Sequence, residues 1–127
     1  MSDEAKLLQA QAQARAERIG APRTKAHFFL CAGPDCCTEE EGLAVWDYLK
    51  RRSKELEAGL QGQTIQRTRA ACLRICQDLG PAMVVYPEGR WYHKVSAENC
   101  ERILRHELTG EGEVADLLIS SQQRPEA

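Results

Sequence analysis

Five of the chain's six cysteines fall in two short stretches, and each stretch directly follows a strand-like run. The first is Cys31-Ala-Gly-Pro-Asp-Cys36-Cys37, and the second is Cys72-Leu-Arg-Ile-Cys76. Thirty-four residues separate Cys37 from Cys72, room for one helix and one strand. Two strands joined through a crossover helix are expected to be parallel neighbours. Their C-terminal ends then share one edge of the sheet, which is where open α/β sheets place their ligands. Topology alone therefore predicts that the two stretches meet, and the layout suggests a four-thiolate metal site there.

The elements read as follows. His27-Phe28-Phe29-Leu30 is a buried strand that ends at Cys31. Gly33-Pro34-Asp35 is turn chemistry, so the first cysteine stretch is a loop. A helix is predicted over Glu39–Leu60, with Leu43, Trp46, Leu49, Ser53, Leu56 and Leu60 as its inward stripe. Gly59 and Gly62 end it. Thr64–Ala70 alternates and carries β-branched residues, a second strand that runs into Cys72. Ala82–Tyr86 is the most strand-like run of the chain. Pro87-Glu88-Gly89 turns it back into a return strand over Arg90–His93. Ser96 is the N-cap of a last helix, with Val95 and Cys100 as its hydrophobic staple and Cys100, Ile103, Leu104 and Leu108 facing inward. Gly110 closes that helix. Val114–Ile119 is expected as a short helical or packed segment. Residues 3–19 are helix formers with thin apolar content, ended by Gly20-Ala21-Pro22. The order is thus β-α-β-β-α behind a helical extension, an α/β chain. Its expected parts are an N-terminal helical extension over 1–25, one domain over 26–119 and a flexible tail over 120–127.

A length of 127 residues fits one domain and buries a core without covalent cross-links. The net charge of -2, with both signs mixed along the chain, speaks against a polybasic patch for nucleic acid or membrane. No apolar run approaches the roughly 20 residues of a membrane span. Met1-Ser2-Asp3-Glu4-Ala5-Lys6 has no charged start followed by an apolar stretch, so a cytoplasmic location is expected. Thiols stay reduced there, and six cysteines then point to metal or thiol chemistry rather than disulfides.

Thiolates are soft ligands that suit iron–sulfur clusters, zinc and Cu(I). The spacing Cys72-x3-Cys76 is not the C-x-x-C of a thioredoxin-type redox site. The plant-type [2Fe–2S] spacing does not match, and a Rieske centre would need two histidines. His27, His93 and His106 show no pairing with the cysteines and read as surface or structural residues. An iron–sulfur cluster, a structural zinc ion, and thiol redox chemistry or plain buried cysteines remain, in that order. There is no G-x-G-x-x-G turn after a strand and no nucleophile–base constellation, so the isolated chain is not expected to be an enzyme. Cys100 lies on the apolar face of a helix and reads as an inert buried thiol. Trp46, Trp91 and Tyr92 read as packing residues.

The pattern Cys31-x5-Cys37, or Cys31-x4-Cys36, followed by Cys72-x3-Cys76, resembles that of the thioredoxin-like [2Fe–2S] ferredoxins. It is similar also to the small [2Fe–2S] subunit of NADH dehydrogenase. His27–Cys31, Cys72–Cys76 and the run Gly80-Pro81-Ala82-Met83-Val84-Val85-Tyr86-Pro87-Glu88-Gly89-Arg90-Trp91-Tyr92-His93 carry the likeness, which covers about residues 26–119 and leaves out the N-terminal extension. The resemblance implies a thioredoxin-like fold and a one-electron carrier, often a homodimer, that works between redox protein partners. The cofactor it implies is one [2Fe–2S] cluster, held by Cys31, Cys37, Cys72 and Cys76. A structural-zinc interaction module on the same scaffold is the alternative. The first loop is shorter than is usual in that family, so Cys36 competes with Cys37 for the second position. Cys37 is preferred because it stands directly before Thr38, a candidate helix N-cap whose positive helix end favours a thiolate. Arg74 reads either as a charge beside the ligands or as an ordinary loop residue. A cis proline is expected at Pro81, where thioredoxin-like folds often carry one.

Overall fold

The computed structural model describes residues 1–32, 37–75 and 80–122. The elements are α1 (Asp3–Arg18), a 3-10 turn (Ala21–Arg23), β1 (Thr24–Cys31), α2 (Glu39–Glu57), β2 (Thr64–Ala70), β3 (Ala82–Tyr86), β4 (Arg90–Tyr92), α3 (Ala97–Thr109) and β5 (Leu118–Ser121). The sheet order is β2-β1-β3-β4-β5. β1 and β2 pair in parallel, as the crossover predicts, and Cys31 stands opposite Ala70. The other neighbours are antiparallel.

Alternation along the strands puts Ala26, Phe28, Leu30, Ile65, Met83, Val85 and Tyr92 on one face. There they pack with Val45 and Leu49 of α2 and with Cys100, Ile103, Leu104 and Leu108 of α3. The opposite face carries His27, Phe29, Tyr86 and Trp91, all partly exposed. His27 stacks on Phe29 with ring centroids 4.0 Å apart, and Phe29 meets Tyr86 edge-on at 6.1 Å.

The helices end where their capping residues say. Ser96 accepts the Asn99 N–H at 3.1 Å, and Gly110 closes α3 in a left-handed conformation. Val95 and Cys100, the two staple positions, are fully buried. Burial pushes the Cys100 thiol up to about 12, which keeps it neutral and unreactive. α1 is capped by Ser2 and carries acids in its first turn and arginines in its last, yet it buries no residue. It joins the body at Gly20, which is buried in a left-handed conformation; a Cβ there would stand 2.3 Å from Cγ2 of Thr64.

Four expectations shift. The buried stripe of α2 is Gly42, Val45, Leu49 and Ser53, while Leu43 is 38% exposed. Glycine counts for nothing in an apolar pattern, yet here it marks the closest approach of the helix. Trp46, Leu56 and Leu60 pack at the margin, and the fully buried Ser53 hydroxyl donates back to the Leu49 carbonyl. Residues 118–121 form a strand rather than a helical segment, because Trp91 and Arg90 offer an open edge to Ser120 and Ser121. The boundary drawn at residue 119 therefore falls inside β5, and Gln122 still donates its N–H to Gly89. Among the described residues the cis peptide bond precedes Pro87, not Pro81.

α2 and α3 are tied by one carboxylate. Glu101 accepts hydrogen bonds from Arg52 Nε at 2.6 Å, Arg52 Nη2 at 2.9 Å, the Tyr48 hydroxyl at 2.7 Å and Arg105 Nε at 2.8 Å. These bonds, the Arg52 bond above all, hold the Glu101 carboxyl down at about 2. A carboxyl depressed in the folded state stabilises the fold fully above its unfolded value of about 4.3, and that stabilisation is lost as pH falls toward about 2. Urea denaturation of Glu101→Gln is therefore expected to show a stability deficit against the parent that is constant above about pH 5 and shrinks on further acidification. An equal deficit at every pH would show that the carboxylate charge plays no part in the tie.

Candidate metal centre

Each described cysteine of the two stretches is placed by a strand end or a helix start. Cys31 is the last residue of β1, hydrogen-bonded between two neighbours, and faces Ala70 on one side and Ala82 on the other. It is 1% exposed. Cys31 and Ala82 form a small buried cluster of their own, with Cys37 and Leu73 packed against it. Cys72 is exposed, two residues beyond the end of β2. The Cys31 Sγ lies 3.8 Å from the carbonyl of Ala71, the residue before Cys72. The two stretches therefore meet at the predicted edge, with Cys31 inside, Cys37 half-buried and Cys72 at the surface. Cys36 and Cys76 lie outside the described residues, as does the Gly33-Pro34-Asp35 turn. Among the described residues no three His, Cys, Asp or Glu side chains converge on a single point.

Four local features hold this edge. Thr38 caps α2, its Oγ1 accepting the Glu41 N–H at 3.1 Å, so Cys37 stands immediately before a helix N-terminus. Gly42 in the first turn of α2 lies against Ala32, the residue after Cys31; a Cβ at Gly42 would come within 2.4 Å of the Ala32 carbonyl oxygen. Beyond the second stretch, the Pro81 carbonyl accepts the Val95 N–H at 3.0 Å, which ties the start of β3 to the start of α3. Inside the second stretch, Arg74 has a positive φ of 68°, and its N–H donates to the Cys72 sulfur at 3.2 Å.

Sequence reasoning placed Cys31 and Cys72 at strand ends and Cys37 before a helix start, and it found the cap. It missed the Gly42 seat, whose one signal is a glycine in the first turn of a predicted helix. It also missed the conformation of Arg74, for which a non-glycine residue gives no signal. The histidines do structural work: His27 Nε2 is 2.8 Å from the Thr68 hydroxyl, and His106 Nδ1–H donates to the Gly112 carbonyl at 3.0 Å.

A parallel β1–α2–β2 unit, an antiparallel β3–β4 hairpin, a closing helix and cysteines at the strand ends define a thioredoxin-like protein with a thiolate site on its sheet edge. No family model matches the chain. A 2Fe-2S ferredoxin of Aquifex aeolicus is 38% identical over 58 residues, 46% of this chain and only half the length of that relative. A protein of Priestia megaterium described as a 2Fe-2S ferredoxin is 32% identical over 99 residues, 76% of this chain and 71% of that protein. The solved thioredoxin-like [2Fe–2S] ferredoxin from Aquifex aeolicus superposes with a TM-score of 0.60 at 27% identity, covering 80% of this chain and 96% of that one. The chain belongs to the thioredoxin-like 2Fe-2S ferredoxin family.

Seating α2 against Ala32 fixes the distance between Cys31 and Cys37. Gly42→Ala is expected to cost about 1–3 kcal/mol, as overpacking against backbone does, and to lower the iron bound per chain. Urea denaturation and iron analysis would check both. Parent-like values in both would mean that the helix start does not set the first loop.

Proposed function

We propose that this chain is a one-electron carrier whose cofactor is a single [2Fe–2S] cluster held by Cys31, Cys37, Cys72 and Cys76. The observation that carries the reading is the meeting of both cysteine stretches at one sheet edge, within a chain of this family. The comparisons lend the structural-zinc alternative no support. The bound cluster supplies the redox chemistry, accepting one electron and giving one up with no atom transferred. The chain's own residues shape that exchange. Cys31 and Ala82 keep the inner side dry, while the exposed Cys72 faces the surface where a partner reaches it. The helix start behind Cys37 favours its thiolate form.

The cluster-bearing domain, expected over 26–119, takes in all of β1 from Thr24 and all of β5 to Ser121, and the residues before β1 are an extension. The chain passes electrons between a donor and an acceptor protein and has no turnover of its own. No described helix is long and apolar enough to cross a membrane. The reading places the chain in the cytoplasm, where its thiols stay reduced. It works as a homodimer. The support for that is the sheet face bearing His27, Phe29 and Tyr86, on which neither α2 nor α3 lies and where Tyr86 is 39% exposed beside the 87–89 turn. Aromatic rings on a face of this kind suit an isologous contact.

Protein purified without oxygen is expected to be red-brown, to carry about two irons and about two sulfides per chain, and to bleach with dithionite. Cys37→Ser is expected to lose the cluster or change its spectrum strongly, and Cys36→Ser to leave the spectrum nearly unchanged. A colourless protein with a single zinc sinks the reading; the reverse pair of spectra moves the ligand to Cys36. Light scattering of the cluster-loaded protein is expected to give twice the 14.2 kDa chain mass, and Tyr86→Glu to shift it toward one. A parent that runs as a monomer at micromolar concentration would dispose of the dimer.

A further inference from the structure

Resting on the cluster reading above, we propose that the free edge of β2 and the loop beyond it form a docking surface for a redox protein with an acidic face, held through Arg67, Arg69 and Arg74. The whole chain carries a net charge of -2, yet residues 58–77 hold three arginines and no aspartate or glutamate. Arg23, Arg51, Arg52, Arg90, Arg102 and Arg105 each pair with a carboxylate at 3.8 Å or less. Among the described residues Arg67, Arg69 and Arg74 make no such pair. Arg69 and Arg74 are exposed, and Arg67 is half-buried. β2 is an edge strand with β1 as its single neighbour. Arg67 and Arg69 stand opposite Phe28 and Leu30 in the register, so they share the helix-facing side of the sheet. A dimer built on the His27, Phe29 and Tyr86 face leaves them free. Charge on an edge strand also deters stray strand pairing, and that accounts for Arg67 and Arg69 alone. Arg74 lies beyond the sheet, where there is no edge to protect, and continues the same charge toward the site.

Chain geometry keeps these charges near the exposed thiol. At about 3.6 Å per residue at most, the Cα of Arg74 lies within about 7 Å of that of Cys72, Arg69 within about 11 Å and Arg67 within about 18 Å. Three like charges with no carboxylate of their own set up a positive field beside the described thiol that is most open to solvent. Such a field steers an oppositely charged partner and fixes its orientation, raising encounter rates by about 10- to 1,000-fold at low salt. The bound cluster is itself anionic, so without the arginines an acidic face would be repelled at the point of transfer. Glu39, Glu40 and Glu41, exposed at the start of α2, give the first cysteine stretch the opposite sign. An acidic face is therefore drawn to the second stretch and turned away from the first. The charges select a side of the site as well as a partner.

The experiment mixes reduced, cluster-loaded full-length protein with two acceptors that share a haem and differ in charge. One is native cytochrome c, which is basic; the other is cytochrome c with its lysines succinylated, which is acidic. One electron leaves the cluster and the ferric haem takes it up. At low ionic strength the combined Arg67→Gln, Arg69→Gln and Arg74→Gln variant is expected to react about tenfold more slowly than the parent with the acidic acceptor, and no more slowly with the basic one. Added salt is expected to bring the parent down to the variant's rate, and lysine at all three positions to keep the parent's rate. Lys6→Gln, Arg15→Gln and Arg18→Gln together remove the same three charges from α1, which joins the body at the start of β2, away from the cysteines. That variant is expected to behave as the parent. An unchanged rate with the acidic acceptor overturns the inference alone. So does equal slowing of both acceptors, which marks a changed driving force, or an equal loss in the α1 variant, which marks net charge. Absence of a cluster spectrum before mixing overturns the cluster reading and this inference with it. Should the triple glutamine variant fail to load, the α1 variant decides: its rate with the acidic acceptor is expected to fall with salt, and a rise overturns the inference.

Discussion

The parallel pairing of β1 with β2 is the constraint on which the thiols depend. A parallel pair needs a crossover, α2 provides it, and both strands then end on the same side. The register matters as much as the direction. Slipping β1 by one residue would exchange Phe28 and Leu30 for His27 and Phe29 on the helix-facing side and turn Cys31 away from its small cluster with Ala82. The core that holds this register is thus also the device that places the innermost thiol.

Polar ties guard the same frame from the other side. Glu107, nearly buried, receives the Tyr92 hydroxyl at 2.5 Å and Arg90 at 3.0 Å, locking β4 onto α3. Glu101 does the same between α2 and α3. The exposed Arg102–Asp116 pair at 2.7 Å adds little by itself, since solvent screens it. Stability therefore concentrates in the layers behind the sheet, and the loops that carry the cysteines hang from its edge.

Much of this was legible in the residues. Thr64–Ala70 and Ala82–Tyr86 are strands with the expected bounds, since β-branched alternation and flanking glycine and proline leave little choice. Ser96 and Gly110 end α3 because capping chemistry is local. What was illegible depended on partners distant in sequence. Gly42 is buried because Ala32 lies above it, and no pattern within α2 reveals that. β5 exists because β4 leaves an edge open, while its own sequence, Leu118-Ile119-Ser120-Ser121, is weak. The fold family was readable through the resemblance that the cysteine spacing and the Gly80–His93 run carry together; the conformation at Arg74 is a property of the folded loop alone.

The burial contrast between Cys31 and Cys72 also bears on how such a protein wears out. Oxidation of sulfur follows exposure and thiolate character together. Cys31 sits beneath the end of a hydrogen-bonded strand, while Cys72 lies open to solvent. The most exposed of the described thiols is therefore the one a peroxide meets first. Damage in an aerobic cell begins at the second loop, and the buried side of the site is the last to be lost.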